Sequence, residues 1–539
     1  MKLVLAQPPI QDFYETSIRL QPLGLAYLKA VVKKHLPEVE VVIKDFHQGW
    51  GRRTIALPKA LSYLKDYYPW PDQSPFSLFH HYYHFGATFE TIAREVAHEK
   101  PYLVGISSLF SPYYQEVLQC AEAIKKKIGC PIVIGGSHAS AVPDLMLKHP
   151  AVDWVIRGEG ERPLVKLIKA CQKGKGFESV PGLGYKQEGR MIFNPLGEPY
   201  PIEELPPPDF SDLGLKKYCY EKRPLCFLIT SRGCPHRCSF CSVHCTFPLH
   251  RRRSAENVFK EIYGRYQEGY RVFDFEDDNL TYDQEEMKTL CRKMKMTFPP
   301  GEIECLAMNG ISYQSLDSEL LQLMRKAGFT HLNLSLVTSN PKIRKETLRP
   351  QGMKKYLQVV NEASRLGFNI VAYQILGLPG ESLDSMIQTL CLNSQLPVLV
   401  GASPFYLTPN TPMAQMFPDP TEDDIFKARL TALAVESDLF EREDIYTLFV
   451  VTRIINFFKG LRFENESVGL EEALNIARNR GKRSTLGAEL FEMLLKEGRL
   501  YAATREGYNP LPRFNPDLFF TFWARLDIIK TQEGKIIKK

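Results

Sequence analysis

The segment Ser231-Arg232-Gly233-Cys234-Pro235-His236-Arg237-Cys238-Ser239-Phe240-Cys241 sets three thiols at CxxxCxxC spacing, directly after a short apolar run at 225–229. Soft thiolates gathered in one loop suit an iron–sulfur cluster or zinc. A structural zinc site usually draws four ligands from paired CxxC groups, and the chain has no second CxxC. Three ligands on a four-iron cube would leave one iron open to a small molecule. The loop therefore reads as the mouth of a strand that presents a reactive centre.

Outward from this loop, strand-like runs at 225–229, 271–275, 303–307, 331–336, 369–376 and 398–406 alternate with helical stretches. Six βα units in series predict a partial (β/α)6 barrel. Upstream, runs at 2–6, 39–43, 103–107, 132–134 and 154–156 are short and β-branched, with helical stretches at 23–34 and 114–127, which predicts a doubly wound, Rossmann-like α/β sheet. The proline-rich stretch Leu205-Pro206-Pro207-Pro208-Asp209 marks a linker. The expected division is a Rossmann-like domain at 1–200 with an aromatic-rich insertion at about 51–100, a barrel at 201–420, and a mainly helical region at 421–539. In the last region helices are expected at 426–439, 447–460, 471–480 and 485–495.

Composition narrows the function classes. Over 539 residues, 44% hydrophobic and 24% charged content supports several buried cores. A net charge of +6 from 68 basic and 62 acidic residues, without long runs of one sign, does not imply nucleic acid. No run approaches the roughly 18 apolar residues of a membrane span. The opening Met1-Lys2-Leu3-Val4-Leu5-Ala6-Gln7-Pro8-Pro9 reads as a strand and not a signal peptide, so a cytoplasmic location is expected. The 12 cysteines are too few for a disulfide scaffold of this length.

With these features in view, the chain resembles the radical S-adenosylmethionine (SAM) enzymes, in which this cysteine spacing carries an aromatic residue before the third thiol, here Phe240. The resemblance implies a 4Fe-4S cluster on Cys234, Cys238 and Cys241, whose open iron chelates SAM and whose electron splits the sulfonium to a 5′-deoxyadenosyl radical. Cys245 then reads as a bystander, because a closed cluster could not take SAM. Asp277 and Asp278, ending Phe273-Asp274-Phe275-Glu276-Asp277-Asp278-Asn279, match the place where relatives meet the SAM amine. Gly377 lies in the glycine turn Ile375-Leu376-Gly377-Leu378-Pro379-Gly380-Glu381. Relatives often end the fourth barrel strand with Glu-Ser; this chain has Val337-Thr338-Ser339, which leaves Ser335 and Gln374 as guesses for the ribose contacts.

The front sheet carries Ser107 and Ser108 after one strand, Gly135-Gly136-Ser137-His138 after the next and Gly158-Glu159-Gly160 after the last. Placed before such a barrel, these turns resemble the cobalamin-binding domain of cobalamin-dependent radical SAM enzymes, and the residues just named are the expected cobalamin contacts. Asp45-Phe46-His47-Gln48-Gly49 misses the DxHxxG cobalamin signature by one residue and reads as coincidence. The resemblance implies modification of an unactivated carbon, foremost by methyl transfer, with cyclisation or rearrangement as alternatives. A vestigial cobalamin domain also stays open, as does a non-enzymatic iron–sulfur or cobalamin sensor. The expected partners are a small-molecule or lipid-like substrate and a reductant such as flavodoxin or ferredoxin. The aromatics around Trp70 and Tyr83, and Phe449, Phe457 and Phe458, could grip an apolar substrate, but read first as packing.

Overall fold

The computed structural model describes residues 1–16, 20–349 and 352–539. They form two compact units, each drawn from separate stretches of chain: Met1–Ile55, Tyr82–Asp278 and Leu407–Phe426 make the first, and Ala56–His81, Asn279–Tyr406 and Lys427–Lys539 the second.

In the first unit all five expected strands form, in the order Glu40–Asp45, Lys2–Gln7, Leu103–Ser107, Ile132–Gly135, Trp154–Ile156. Their neighbours pair in parallel. The order reverses direction between Lys2–Gln7 and Leu103–Ser107, so the carboxyl ends of these strands open the crevice where doubly wound sheets bind ligands. The helices match the sheet in sequence. Leu23–His35 buries Leu25, Ala26, Tyr27, Val31 and Val32 and ends in Lys33, Lys34 and His35, which complement its dipole. Tyr114–Ile128 stops at Gly129 in the left-handed conformation, whose N–H reaches the Lys125 carbonyl. A hairpin absent from the sequence reading, Leu183–Gln187 with Arg190–Phe193, adds antiparallel to Trp154–Ile156. The same unit holds the strand before the cysteine loop, Arg223–Leu228, paired in parallel with Val272–Phe275 across the helix Ala255–Gln267.

In the second unit His331–Val337, Asn369–Leu376 and Leu399–Pro404 form a parallel sheet. Glu304–Leu306 is the remaining expected strand. The helix Arg442–Lys459 lies on the outer strand, where the Asn456 amide donates to the Val400 carbonyl at 2.8 Å and accepts from its N–H at 2.9 Å. The expected helix at 426–439 does not form. In its place stand the short turns Glu422–Phe426 and Leu430–Ala432, the second ended by Leu433 in the left-handed conformation. The helix Pro516–Ala524 and two small sheets near the C-terminus escaped the sequence reading.

The aromatic segment Ala56–His81 packs inside this second unit. Ring pairs Tyr67–Tyr446, Phe76–Phe457 and Phe79–Phe449 lie 5.4, 5.6 and 6.3 Å apart, so these aromatics are spent on core contacts. Among the described residues, no helix is long and apolar enough to cross a membrane.

Candidate cluster and cofactor site

The cysteine loop is fastened before it begins. The Asp277 carboxylate, 2% exposed, accepts from Thr230 N at 3.0 Å, Thr230 Oγ1 at 2.7 Å and Ser231 Oγ at 2.5 Å. Asp278 Oδ2 accepts from Gly233 N at 3.0 Å. Gly233 has φ +77°, and a Cβ there would stand 2.6 Å from the Leu249 carbonyl oxygen, so only glycine fits. Where the sequence suggests that Asp277 meets the SAM amine, the structure has it buried and engaged by the loop. Asp278 is the carboxylate that solvent reaches. It is nevertheless walled by protein, and desolvation, reinforced by Asp277 against the Gly233 hydrogen bond, moves its pKa up to about 6.

Cys238 is buried while Cys234 and Cys241 are partly exposed. Cys241 N donates to the Cys238 carbonyl at 3.1 Å. Burial first, then the neighbouring Cys238, Asp278 and Cys234, push the Cys241 thiol up to about 11. Such a thiol ionises when a metal supplies the compensating charge. Among the described residues, no three His, Cys, Asp or Glu side chains gather tightly enough for a single ion; a four-iron cube is larger and takes its thiolates further apart. Cys245 points elsewhere, its Sγ donating to the Asn410 carbonyl at 3.4 Å. Phe240 is half-buried beside Ser239, whose carbonyl accepts from Met413 N at 2.8 Å.

Arg232 ties this loop to the front sheet. Nη1 binds Glu159 at 2.7 Å and Nη2 binds Glu161 at 2.6 Å, and Arg251 binds Glu159 as well. Burial opposes these charges, but the pairing with Arg232 holds the Glu161 carboxyl below its usual range. Glu159, expected at cobalamin, is therefore turned to the two arginines.

At the crevice of the sheet, Gly136 has φ +126° and its missing Cβ would lie 2.4 Å from the Ser108 carbonyl oxygen. Ser108 N donates to the Gly135 carbonyl at 2.7 Å and His138 N to the Ser108 carbonyl at 3.1 Å, stitching two strand ends together. Ser140 Oγ donates to the Gly136 carbonyl at 2.8 Å and accepts from Gly158 N at 2.9 Å, which adds the third turn. Ser107 lies buried at the end of its strand and Ser137 opens the short helix Ser137–Ala141. Gly160 precedes the helix Glu161–Lys173, and a Cβ there would press on Leu28 at 3.1 Å. Three buried polar atoms around this crevice have no hydrogen-bond partner among the described residues: Gln7 Oε1, Ser108 Oγ and His138 Nε2. His138 is kept neutral, its pKa lowered to about 4 by burial, with Nδ1 3.1 Å from Ser111 Oγ. Asp45 closes its own turn, accepting from His47 N at 2.9 Å and Gln48 N at 3.1 Å.

In the second unit, Ser335 lies half-buried with its carbonyl accepting from Arg349 Nη2 at 2.8 Å. Gln374 does not share its face. Its amide donates to the Met386 carbonyl at 3.1 Å, on the outer helix Leu383–Ser394. Burial alternates along Asn369–Leu376, so Val371, Tyr373 and Ile375 occupy the more open face. Sequence reasoning missed Tyr373, whose hydroxyl donates to the Met308 carbonyl at 3.1 Å and whose ring covers Gly401, where a Cβ would clash at 2.5 Å. Gly377, φ +85°, is packed against Ile445 and Phe440. In place of the Glu-Ser pair, Thr338 Oγ1 donates to buried Glu381 at 2.5 Å, which also accepts from Ser385 Oγ at 2.8 Å. Burial raises the Glu381 pKa to about 7.

Family models match in the same places: the radical SAM superfamily over residues 228–391 and the B12-binding domain over 79–168. The chain carries a radical SAM domain and a B12-binding domain. Its radical SAM match opens at Leu228, the last residue of the strand before the cysteine loop, and its B12-binding match spans the strands bearing Ser107, Gly135 and Ile156. Among curated relatives, an uncharacterised methyltransferase of Pyrococcus horikoshii is 25% identical over 74% of this chain and 79% of its own length. Cytidylyl-2-hydroxyethylphosphonate methyltransferase of Streptomyces wedmorensis is 25% identical over 68% of this chain and 71% of its own length. Among solved structures, the cobalamin-dependent SAM radical enzyme OxsB, with aqua-cobalamin and SAM bound, matches in fold with a TM-score of 0.62 at 15% identity, over 92% of this chain and 72% of that one. The orphaned polar atoms and the Cβ-free cradle of the B12-binding sheet suit a large polar-edged cofactor, and three soft thiols suit an iron–sulfur cluster.

Proposed function

We propose that this radical SAM enzyme is a methyltransferase that cleaves SAM reductively and delivers a methyl group to an unactivated carbon of a small-molecule substrate. The observation that supports this reading most is the placement of a three-thiol loop and a B12-type ligand crevice in one compact unit, joined by Arg232. When bound, the cluster supplies the electron for SAM cleavage and cobalamin carries the methyl group.

In this reading Cys234, Cys238 and Cys241 hold the cluster, and Asp277 and Asp278 fix the chain that brings them there. The open Asp278 carboxylate also faces the SAM ammonium, which a charge-assisted hydrogen bond would orient. Ser335, Gly377 and the neighbouring Tyr373 offer polar and backbone contacts for the nucleoside. Ser107, Ser108, Gly135, Gly136, Ser137, His138, Gly158 and Gly160 receive cobalamin, with Ser108 and His138 supplying polar atoms that lack partners among the described residues. The functional divisions follow 1–200, 201–420 and 421–539. The electron donor is a low-potential protein of the flavodoxin or ferredoxin type. The reducing interior of the cell suits a chain whose 12 cysteines form no disulfide.

Anaerobic reconstitution with iron and sulfide should give about four irons per chain, retained cobalamin by absorbance, and 5′-deoxyadenosine from SAM under reduction. Isotope label in the SAM methyl group should appear in the product. A colourless, iron-free chain would end the proposal.

A further inference from the structure

The residues entering the cysteine loop are each held. Asp277 binds Thr230 and Ser231, and Asp278 binds Gly233. Arg232 differs, because its partners lie in the front sheet. Its guanidinium divides between Glu159 and Glu161 at 2.7 and 2.6 Å, with 8%, 6% and 4% of the three side chains exposed. The rings of Tyr27 and Phe247 lie 5.5 and 5.7 Å from its guanidinium carbon. Arg251, its cross-strand partner, takes the other oxygen of Glu159. A planar fork held at both prongs has one position, whereas a lysine ammonium at the same site would satisfy one glutamate at a time.

The two glutamates flank Gly160. Gly158, one residue before Glu159, is joined through Ser140 to Gly136. Hydrogen bonds and ion pairs thus run without a break from the ligand edge of the sheet to Arg232, two residues ahead of Cys234.

We propose that Arg232 is a positioning residue that couples the two cofactor sites, so that cobalamin seated on the glycine turns fixes the chain bearing Cys234. The inference rests on the cofactor placement proposed above. Coupling of this kind is reciprocal: the cluster must strengthen cobalamin binding by the factor that cobalamin strengthens the cluster site.

The test uses the full-length chain and two readouts. Hydrogen exchange across 230–238 in the cluster-free protein should slow when hydroxocobalamin binds. Cobalamin affinity, followed by absorbance, should rise about 5-fold or more once the cluster is built. Arg232→Lys should bind both cofactors and lose both effects, and Glu161→Gln, which keeps the shape and drops one charge, should weaken them. The proposal is overturned if wild-type protein binds cobalamin with no change in exchange, or if both variants respond as wild type does. A wild-type chain that takes up no cobalamin would overturn the cofactor assignment itself, and absorbance reveals that before any exchange is measured.

Discussion

Adjacent carboxylates, Asp277 and Asp278, end in different surroundings because the first meets hydroxyls from the neighbouring strand end and the second faces solvent. That difference was not legible in sequence, since Thr230 and Ser231 lie far from both in the chain. The thiol triad could be proposed from sequence alone, because its spacing is local. Replacing Cys234, Cys238 or Cys241 by Ala should abolish iron uptake and SAM cleavage, while Cys245→Ala, whose sulfur faces Asn410, should keep both; iron counts and 5′-deoxyadenosine assays decide. That Gln374, a guess for the ribose, turns to the Met386 carbonyl was hidden for a physical reason. The run Asn369–Leu376 is apolar almost throughout, which hides the two-residue period. Glu381 gives a pH prediction. Its folded pKa of about 7 lies above the usual 4.5, so the folded chain binds the proton more tightly than the unfolded one. Its contribution to stability should therefore be full below about pH 4.5, fall as pH rises toward 7, and stay lower above it, by about 3 kcal/mol. The difference between wild type and Glu381→Gln in denaturant midpoint, compared at pH 5 and pH 8, should show this.

At the scale of elements, the parallel strands were readable as short β-branched runs bounded by turns, and all of them formed. The hairpin Leu183–Gln187/Arg190–Phe193 was missed because its turn, Glu188-Gly189, places a glutamate at φ +51° where asparagine or aspartate would have signalled it. The helix expected at 426–439 fails for a tertiary reason. Tyr63 and Tyr68 donate their hydroxyls to the Ala432 and Thr431 carbonyls at 2.6 and 3.0 Å, and a helix would have claimed those carbonyls. The glycine turns give a sharper prediction. Gly136→Ala should cost about 2–3 kcal/mol through its left-handed backbone and its clash with Ser108. Cobalamin retention should be lost while iron loading persists. Gly129→Ala, at φ +63° with nothing within 4 Å, is the control and should cost about 1 kcal/mol and retain both cofactors.

At the scale of the molecule, each compact unit is drawn from separated stretches of chain. Ala56–His81 and Lys427–Lys539 share a unit with the strands of Asn279–Tyr406, so the C-terminal stretch is part of that core. A chain ended after Phe426 should accumulate in the insoluble fraction, because it strips Ile454, Ile455 and Phe458 from their buried positions; a soluble, cooperatively unfolding fragment would contradict this. The amide of Asn456 adds a consequence of its own. By filling both backbone valences of Val400, it acts as a counterfeit neighbour strand along the border of the sheet. A second molecule finds no ladder to zip onto at that rung.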